Sequence, residues 1–424
     1  MVSGSGVVTS YRDFAAELVA GGILSDPWVD GAPRFRMTPV AIDAATRRAL
    51  FAAAEEIALA HDEAARICAA APALVRRFFD LPPTFQAMWD LSGGAWHGIA
   101  RADVFVTADG PRVCELNSDT PSGAPEAVGL NRAIDGAGAA LFDDPNASLP
   151  DRVCDLVDLV AARVRVDGAR QPPTVGIIYP TEITEDLPMI EIYARWFAAR
   201  GVRVALGSPF NLEPDGHGGV ALFGVPCPVI WRHYKTDWWG ERRPAWRSHP
   251  SFSDAEPLAG PLALLGGAIA RGRCAVINPF GAVLTQNKRM MALMWEEIGR
   301  FSARAQAAIR RYLPYTARLD CVPRRQLRDE RARWVLKSDY GCEGEEVVIG
   351  RTAAPSDWAA ALDDARPERW IAQRRFDPLP LRRGGHANHG VYVIAGRAAG
   401  LFTRLQPDAT DRRAVCAPTL VRLR

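Results

Sequence analysis

Residues 101–119 read RADVFVTADGPRVCELNSD. Arg101, Asp103, Glu115 and Asn117 take odd positions, while Val104, Val106, Cys114 and Leu116 take even ones. Alternation on both sides of an Asp-Gly-Pro turn signal predicts a β-hairpin with one apolar and one polar face. The two arms share faces only where the pairing keeps parity. A two-residue turn at Asp109-Gly110 puts Asp103 and Glu115 on opposite faces. A three-residue loop through Asp109, Gly110 and Pro111 instead pairs Phe105 with Glu115 and Asp103 with Asn117. That register is the expectation, and it gathers an arginine, two carboxylates and an amide on one sheet surface.

The rest of the chain sets bounds on that hairpin. At 424 residues the protein exceeds one ordinary core, so two or three substructures are expected. A 48% hydrophobic and 24% charged composition is that of a soluble globular protein. Its 51 basic and 49 acidic residues leave a net charge of +2, which gives no pointer to nucleic acid. No apolar run reaches 18 residues and the N-terminus lacks a signal-peptide layout, so neither membrane insertion nor export is expected. Eight scattered cysteines without a C-x-x-C suit reduced thiols in a cytoplasm.

Helical spacing covers residues 9–20 and 41–80, with the turn-rich DPWVDGAPRF between them. TVGIIYP (174–180), the amphipathic stretch ending at Gly201 and VRVALGSP form a β-α-β unit without G-x-G-x-x-G. CPVIWRHY and CAVINP supply further strands. The organisation expected is a helical region plus hairpin at 1–169, a small three-layer α/β domain at 170–280, and a third portion at 281–424. In the last, RWVLKSDYGCEGEEVVIG reads as strand, glycine-punctuated turn and strand. RWIAQRRF and GVYVIAGRAAGLFTRL finish the chain as strands.

Several residues have the chemistry for phosphate or metal. Magnesium takes one or two carboxylates and lets phosphates supply other oxygens, so Asp103, Glu115 and the Asn117 amide oxygen suit it. A solvated sheet face with mutually paired charges explains the same pattern equally well. Lys337 ends a strand before Gly341 and Gly344, an arrangement able to clamp phosphate, although such a loop is more often a plain hairpin. Lys288 stands at a helix entry behind Asn287, a good N-cap residue, and otherwise reads as a surface lysine. Gln373 has no independent weight. Residues 229–246 crowd aromatics around Arg232, His233, Lys235, Arg242 and Arg243; a packed corner is favoured there over a substrate site. HANH (386–389) reads as a loop rather than a metal site.

Three stretches in order, RADVFV…CELNSDTPSG, LTQNKRMMALMW and WVLKSDYGCEG, resemble the synthetase domain of glutathionylspermidine synthase. The resemblance implies a mixed α/β (α+β) architecture: a circularly permuted ATP-grasp fold with an inserted three-layer, pre-ATP-grasp-like β-α-β domain. It also implies an ATP- and Mg2+-dependent ligase that phosphorylates a small peptide or amino-acid-like carboxylate and passes the acyl group to an amine. On that basis Asp103, Glu115 and Asn117 correspond to magnesium ligands, and Arg101 to the cation that steadies the transferring phosphoryl group. Lys288, Lys337, Gly341, Gly344 and Gln373 correspond to nucleotide-binding residues, and Ser122 to a serine near the reacting carboxylate. The family's glycine loop carries an arginine where this chain has Cys342. The family's best-known members also carry an amidase domain for which these 424 residues leave no room, so ligation without the reverse hydrolysis is expected.

Two other readings stay open. A nucleotide-binding protein without turnover is consistent with the change at Cys342. A metal-dependent hydrolase needs a water-activating group, for which His97 and Asp119 are the nearest residues.

Overall fold

The structure is a computed structural model that describes residues 10–22, 24–95, 98–134, 141–165, 173–241, 258–341, 346–382, 384–407 and 413–423. Gly344, Cys342, His97, Arg242 and Arg243 lie outside the described residues.

The hairpin forms from Ile99–Thr107 and Gly110–Asn117, in a register different from the one expected. Thr107 faces Gly110, so the turn is the two-residue Ala108-Asp109 and not a three-residue loop. A two-residue turn alone pairs Asp103 with Cys114 and points Glu115 the other way. A β-bulge at Cys114 absorbs one residue, with Val104 facing Val113 but Asp103 facing Glu115. Arg101 then faces Asn117. The expected pairing was wrong, but the expected common face forms, with the two carboxylates directly opposite each other.

Three more strands complete this antiparallel sheet, in the order Val415–Ala417, Arg397–Gln406, His386–Ile394, Ile99–Thr107, Gly110–Asn117. His386–His389 therefore begin a strand, and the loop expected there is corrected. His386 and Asn388 lie on the polar face. His389 turns the other way and hydrogen-bonds Thr403 Oγ1 at 2.9 Å. Ala395-Gly396, both at positive φ, close the following two-residue turn.

The apolar face of the sheet receives the helix Ala44–Ala70, which Asp43 caps by accepting from Thr46 N at 2.6 Å. Ala53, Ala54, Ile57, Ala60 and Ala64 of the helix share one buried cluster with Ala100, Ala102, Val104, Val113 and Leu116 of the hairpin. Alanines on both sides let the helix lie close against the sheet, so Ala102, Val104, Val113 and Leu116 form core. Arg101, Asp103, Glu115 and Asn117 are left on the other face for chemistry.

Two other sheets flank this one. A parallel sheet runs Ala275–Ile277, Val229–Arg232, Thr174–Ile178, Arg203–Gly207. The helix Leu187–Ala199, closed near Gly201 at φ 74°, joins Thr174–Ile178 to Arg203–Gly207 as a β-α-β unit. An antiparallel sheet runs Thr316–Arg318, Trp370–Arg374, Trp334–Ser338, Val347–Ile349, with the two strands expected within residues 333–350 paired at one side. Among the described residues no helix is long and apolar enough to cross a membrane.

Candidate active site

Arg101 and Asp103 are buried on the polar face, while Glu115 and Asn117 are half-buried beside them. Arg101 Nε donates to Asp103 Oδ1 at 2.9 Å, and its Nη1 donates to the Ser122 carbonyl at 2.9 Å and hydroxyl at 3.3 Å. One guanidinium therefore joins the hairpin to the loop that follows it. Arg404, from Arg397–Gln406, donates to the second oxygen of Asp103, and Asn388 Nδ2 lies 3.4 Å from the same oxygen. Burial alone raises a carboxyl pKa, yet Arg101 and Arg404 outweigh it and hold Asp103 down to about 2. Both guanidiniums also lie over the Phe402 ring, at 5.3 and 5.5 Å from its centroid. Space for that ring comes from Gly123 and Gly390, where a Cβ would meet its carbons at 2.6 Å.

The bulge does a second job. Lys337 Nζ donates to the Cys114 carbonyl at 3.2 Å, and Gln373 Nε2 lies 3.4 Å from the same oxygen. Lys337 belongs to Trp334–Ser338 and Gln373 to Trp370–Arg374, so the bulge residue anchors the flanking sheet to the hairpin. Gln373 also donates to Thr316 Oγ1 at 3.0 Å.

Lys288 sits immediately before the helix Arg289–Glu296, with Asn287 Oδ1 accepting from Arg289 N at 2.8 Å. Its ammonium is buried and donates to the Gly341 carbonyl at 2.5 Å. Burial pushes its pKa down, Glu115 opposes that, and Lys337 adds to it. Lys288 is thus in electrostatic reach of both the hairpin and the second lysine.

The structure brings Arg101, Asp103, Glu115, Asn117, Ser122, Lys288, Lys337, Gly341 and Gln373 to one place. Gly344 and Cys342 are outside the described residues. Sequence reasoning missed Arg404 and Asn388. The only local signal was alternation of Phe402, Arg404 and Gln406 within one strand, which says nothing about a partner some 300 residues earlier. Arg232 proves structural: its side chain is fully buried, pairs with Asp119 Oδ1 at 2.5 Å and donates to the Asn278 carbonyl at 3.1 Å. Thr236 occupies the other oxygen of Asp119. Asp119 is therefore spent on cohesion and is not available to activate water.

The residues suit a hard cation in kind. Glu115 and Asn117 offer oxygens across from Asp103 and Arg101, in a setting with two nearby lysines for phosphate. Asp103 has both oxygens engaged by guanidiniums in this state. Among the described residues no group of three His, Cys, Asp or Glu side chains could hold a metal, so any cation there depends on the Asn117 amide and on ligand oxygens.

The family model described as glutathionylspermidine synthase pre-ATP-grasp matches residues 262–422. Over those residues the chain is similar to the glutathionylspermidine synthase family. The match holds the Lys288, Lys337, Gln373 and Arg404 elements, while the 101–119 hairpin precedes it. Among solved structures, the apo form of a glutathione synthetase-like effector from Globodera pallida matches with a TM-score of 0.59 at 10% identity, over 96% of this chain and 95% of that one. A putative gamma-glutamylcysteine synthetase from Methylobacillus flagellatus matches with a TM-score of 0.47 at 12% identity, over 90% and 88%. No curated protein matches the chain in sequence. The glutathionylspermidine synthase match and the full-length structural likeness give the fold: mixed α/β, ATP-grasp type.

Proposed function

We propose that this protein is an ATP- and Mg2+-dependent carboxylate–amine ligase that works through an acyl phosphate. The small peptide or amino-acid-like acid is phosphorylated by ATP and then attacked by an amine. The observation that carries the reading is the Cys114 bulge, which sets Glu115 opposite Asp103 and docks Lys337 and Gln373 on its own carbonyl. Phosphoryl transfer asks the protein mainly to position groups and neutralise charge, which is what this convergence offers. The glutathionylspermidine synthase match over residues 262–422 supports the same reaction class.

Glu115, Asn117 and Asp103 are the residues that would hold magnesium, which when bound shields the phosphate charge. Lys288 and Lys337 bind the nucleotide phosphates, and the Gly341 carbonyl accepts from Lys288. Arg101, braced by Asp103 and touching Ser122, orients the reacting carboxylate and offsets charge on the transferring phosphoryl group. Arg404 supports it from the neighbouring strand. Gln373 ties the nucleotide-side sheet to the hairpin.

The test is ADP release in a screen of acids and amines, comparing wild type with Asp103→Asn and Glu115→Gln. Acid- and amine-dependent ADP release, lost in both variants, is expected. Full turnover in both variants removes the assigned metal site. A second reading, nucleotide binding without turnover, draws on the ion pairs that already occupy Asp103. It predicts ATP binding by calorimetry with no acid-dependent ADP across the whole panel.

A further inference from the structure

An amide-forming ligase has to remove protons from its amine. Alkylamines are ammonium ions at neutral pH, with pKa values near ~10.4 by analogy with lysine. The nitrogen needs a free lone pair before it can attack. Most carboxylates around the site cannot help. Asp103 is held by Arg101 and Arg404, Asp119 by Arg232 and Thr236, and Asp339 by Arg369 at 2.5 Å. Glu115 belongs to the cation face of the hairpin.

Asp237 differs from all of these. Its Oδ2 lies 3.5 Å from Lys235 Nζ, but its Oδ1 is buried with no hydrogen-bond partner among the described residues. A buried polar atom left unpaired calls for an explanation, and an absent ligand is one of the few available. Its place in the fold points the same way. Next to it, Thr236 donates through its backbone N at 2.7 Å and its hydroxyl at 3.1 Å to Asp119 Oδ2, two residues beyond Asn117. On the other side, Lys235 lies over the Trp238 ring at 5.3 Å and is near enough to Lys288 to depress its pKa. Asp237 also acts on Tyr340, the residue before Gly341. The carboxylate thus stands between the exit of the hairpin and the Tyr340 ring.

We propose that Asp237 is the general base that accepts a proton from the attacking amine; this rests on the ligase reading above. Two of the three ammonium protons are lost. Asp237 takes the first as the nitrogen lone pair forms the C–N bond at the acyl carbon. The C–O bond to phosphate then breaks, its electron pair leaves with the phosphate, and the second nitrogen proton goes to that phosphate. Asp237 returns its proton to solvent. Burial raises its carboxyl pKa, with Lys235 opposing and Asp119 adding to the rise, which makes it a stronger base than an ordinary aspartate.

Hydroxylamine separates this step from the rest of the reaction, because it is largely unprotonated at neutral pH and needs no base. The full-length protein is given ATP, Mg2+ and a pool of the twenty common amino acids with glutathione as carboxylates. Acceptors are either spermidine, putrescine and ammonia, or hydroxylamine. Asp237→Asn is expected to lower amine-dependent amide formation by about 10²- to 10⁴-fold. Hydroxamate formation and ATP affinity by calorimetry stay at the wild-type level. Asp237→Ser gives the same split, so the result does not hang on one variant folding, and Asp237→Glu restores part of the amine rate. Retained amine turnover in Asp237→Asn overturns the proposal, as does equal loss of hydroxamate and amide. A wild type that forms neither product rejects the ligase reading itself, and the base with it.

Discussion

Replacing Asp103 by asparagine keeps the shape of the side chain and removes its charge from between two guanidiniums. The carboxyl pKa falls from the ordinary 3.8 to about 2 on folding, against the opposing effect of burial, because Arg101 and Arg404 favour the ionised form. At 1.36 kcal/mol per unit this amounts to roughly 2 kcal/mol of folding stability. The variant also leaves Arg101 and Arg404, with side chains only 7% and 17% exposed, facing each other without an intervening anion. Breaking a buried pair in this way typically costs about 3–5 kcal/mol. Urea unfolding at pH 7 should therefore show Asp103→Asn less stable by about 3 kcal/mol. The sign with pH follows from a depressed folded-state pKa. The contribution is complete above the unfolded value of 3.8 and disappears as pH falls through about 2. The gap between wild type and variant should narrow over that acid range. Adding Arg404→Gln to Asp103→Asn should recover part of the loss, since it removes one of the uncompensated charges. A variant within about 0.5 kcal/mol of wild type at pH 7, with an unchanged gap in acid, refutes the view that Asp103 is the electrostatic centre of this face.

Glu115→Gln, at a half-buried position outside that ion-pair network, should change stability by less than about 0.5 kcal/mol while abolishing Mg2+-dependent ADP release; an active variant removes Glu115 from the site. Gly390→Ala puts a Cβ 2.6 Å from Phe402 and 2.8 Å from Arg101 Cδ, so a destabilisation of about 1–3 kcal/mol and loss of turnover are expected, read by thermal unfolding and ADP release. His61 and His389 are buried and burial lowers both to about 4 from 6.5, so stability should be full above pH 6.5 and fall as pH drops toward 4. Urea midpoints should show up to about 3 kcal/mol lost per histidine, and a flat profile over that window refutes their neutral burial.

Much of the architecture was legible in the residues. The alternation of 101–117 identified a two-faced hairpin, and of its apolar set Val104 and Leu116 form core with Ala44–Ala70 while Val106 packs against it and Cys114 does not. The β-α-β unit at 174–207 and the paired strands Trp334–Ser338 and Val347–Ile349 also follow from local pattern, because hydrophobic periodicity and glycine punctuation act over a few residues. The register did not. A bulge has no short-range signature: Cys114 leaves the ladder where its carbonyl meets Lys337 and Gln373, more than 200 residues downstream. The first four residues of the strand His386–Ile394 were missed for a related reason, since two histidines and an asparagine have weak strand preference until neighbouring strands supply a pairing. Residue types and their spacing thus determined which groups within each arm share a face, while the bulge put the two polar sets on the same side. Only the tertiary structure decided that Arg404 reaches Asp103, that Arg232 is spent on Asp119 and that, among the described residues, Asp237 keeps an oxygen unpaired, because each depends on contacts between segments that the chain brings together only when it folds.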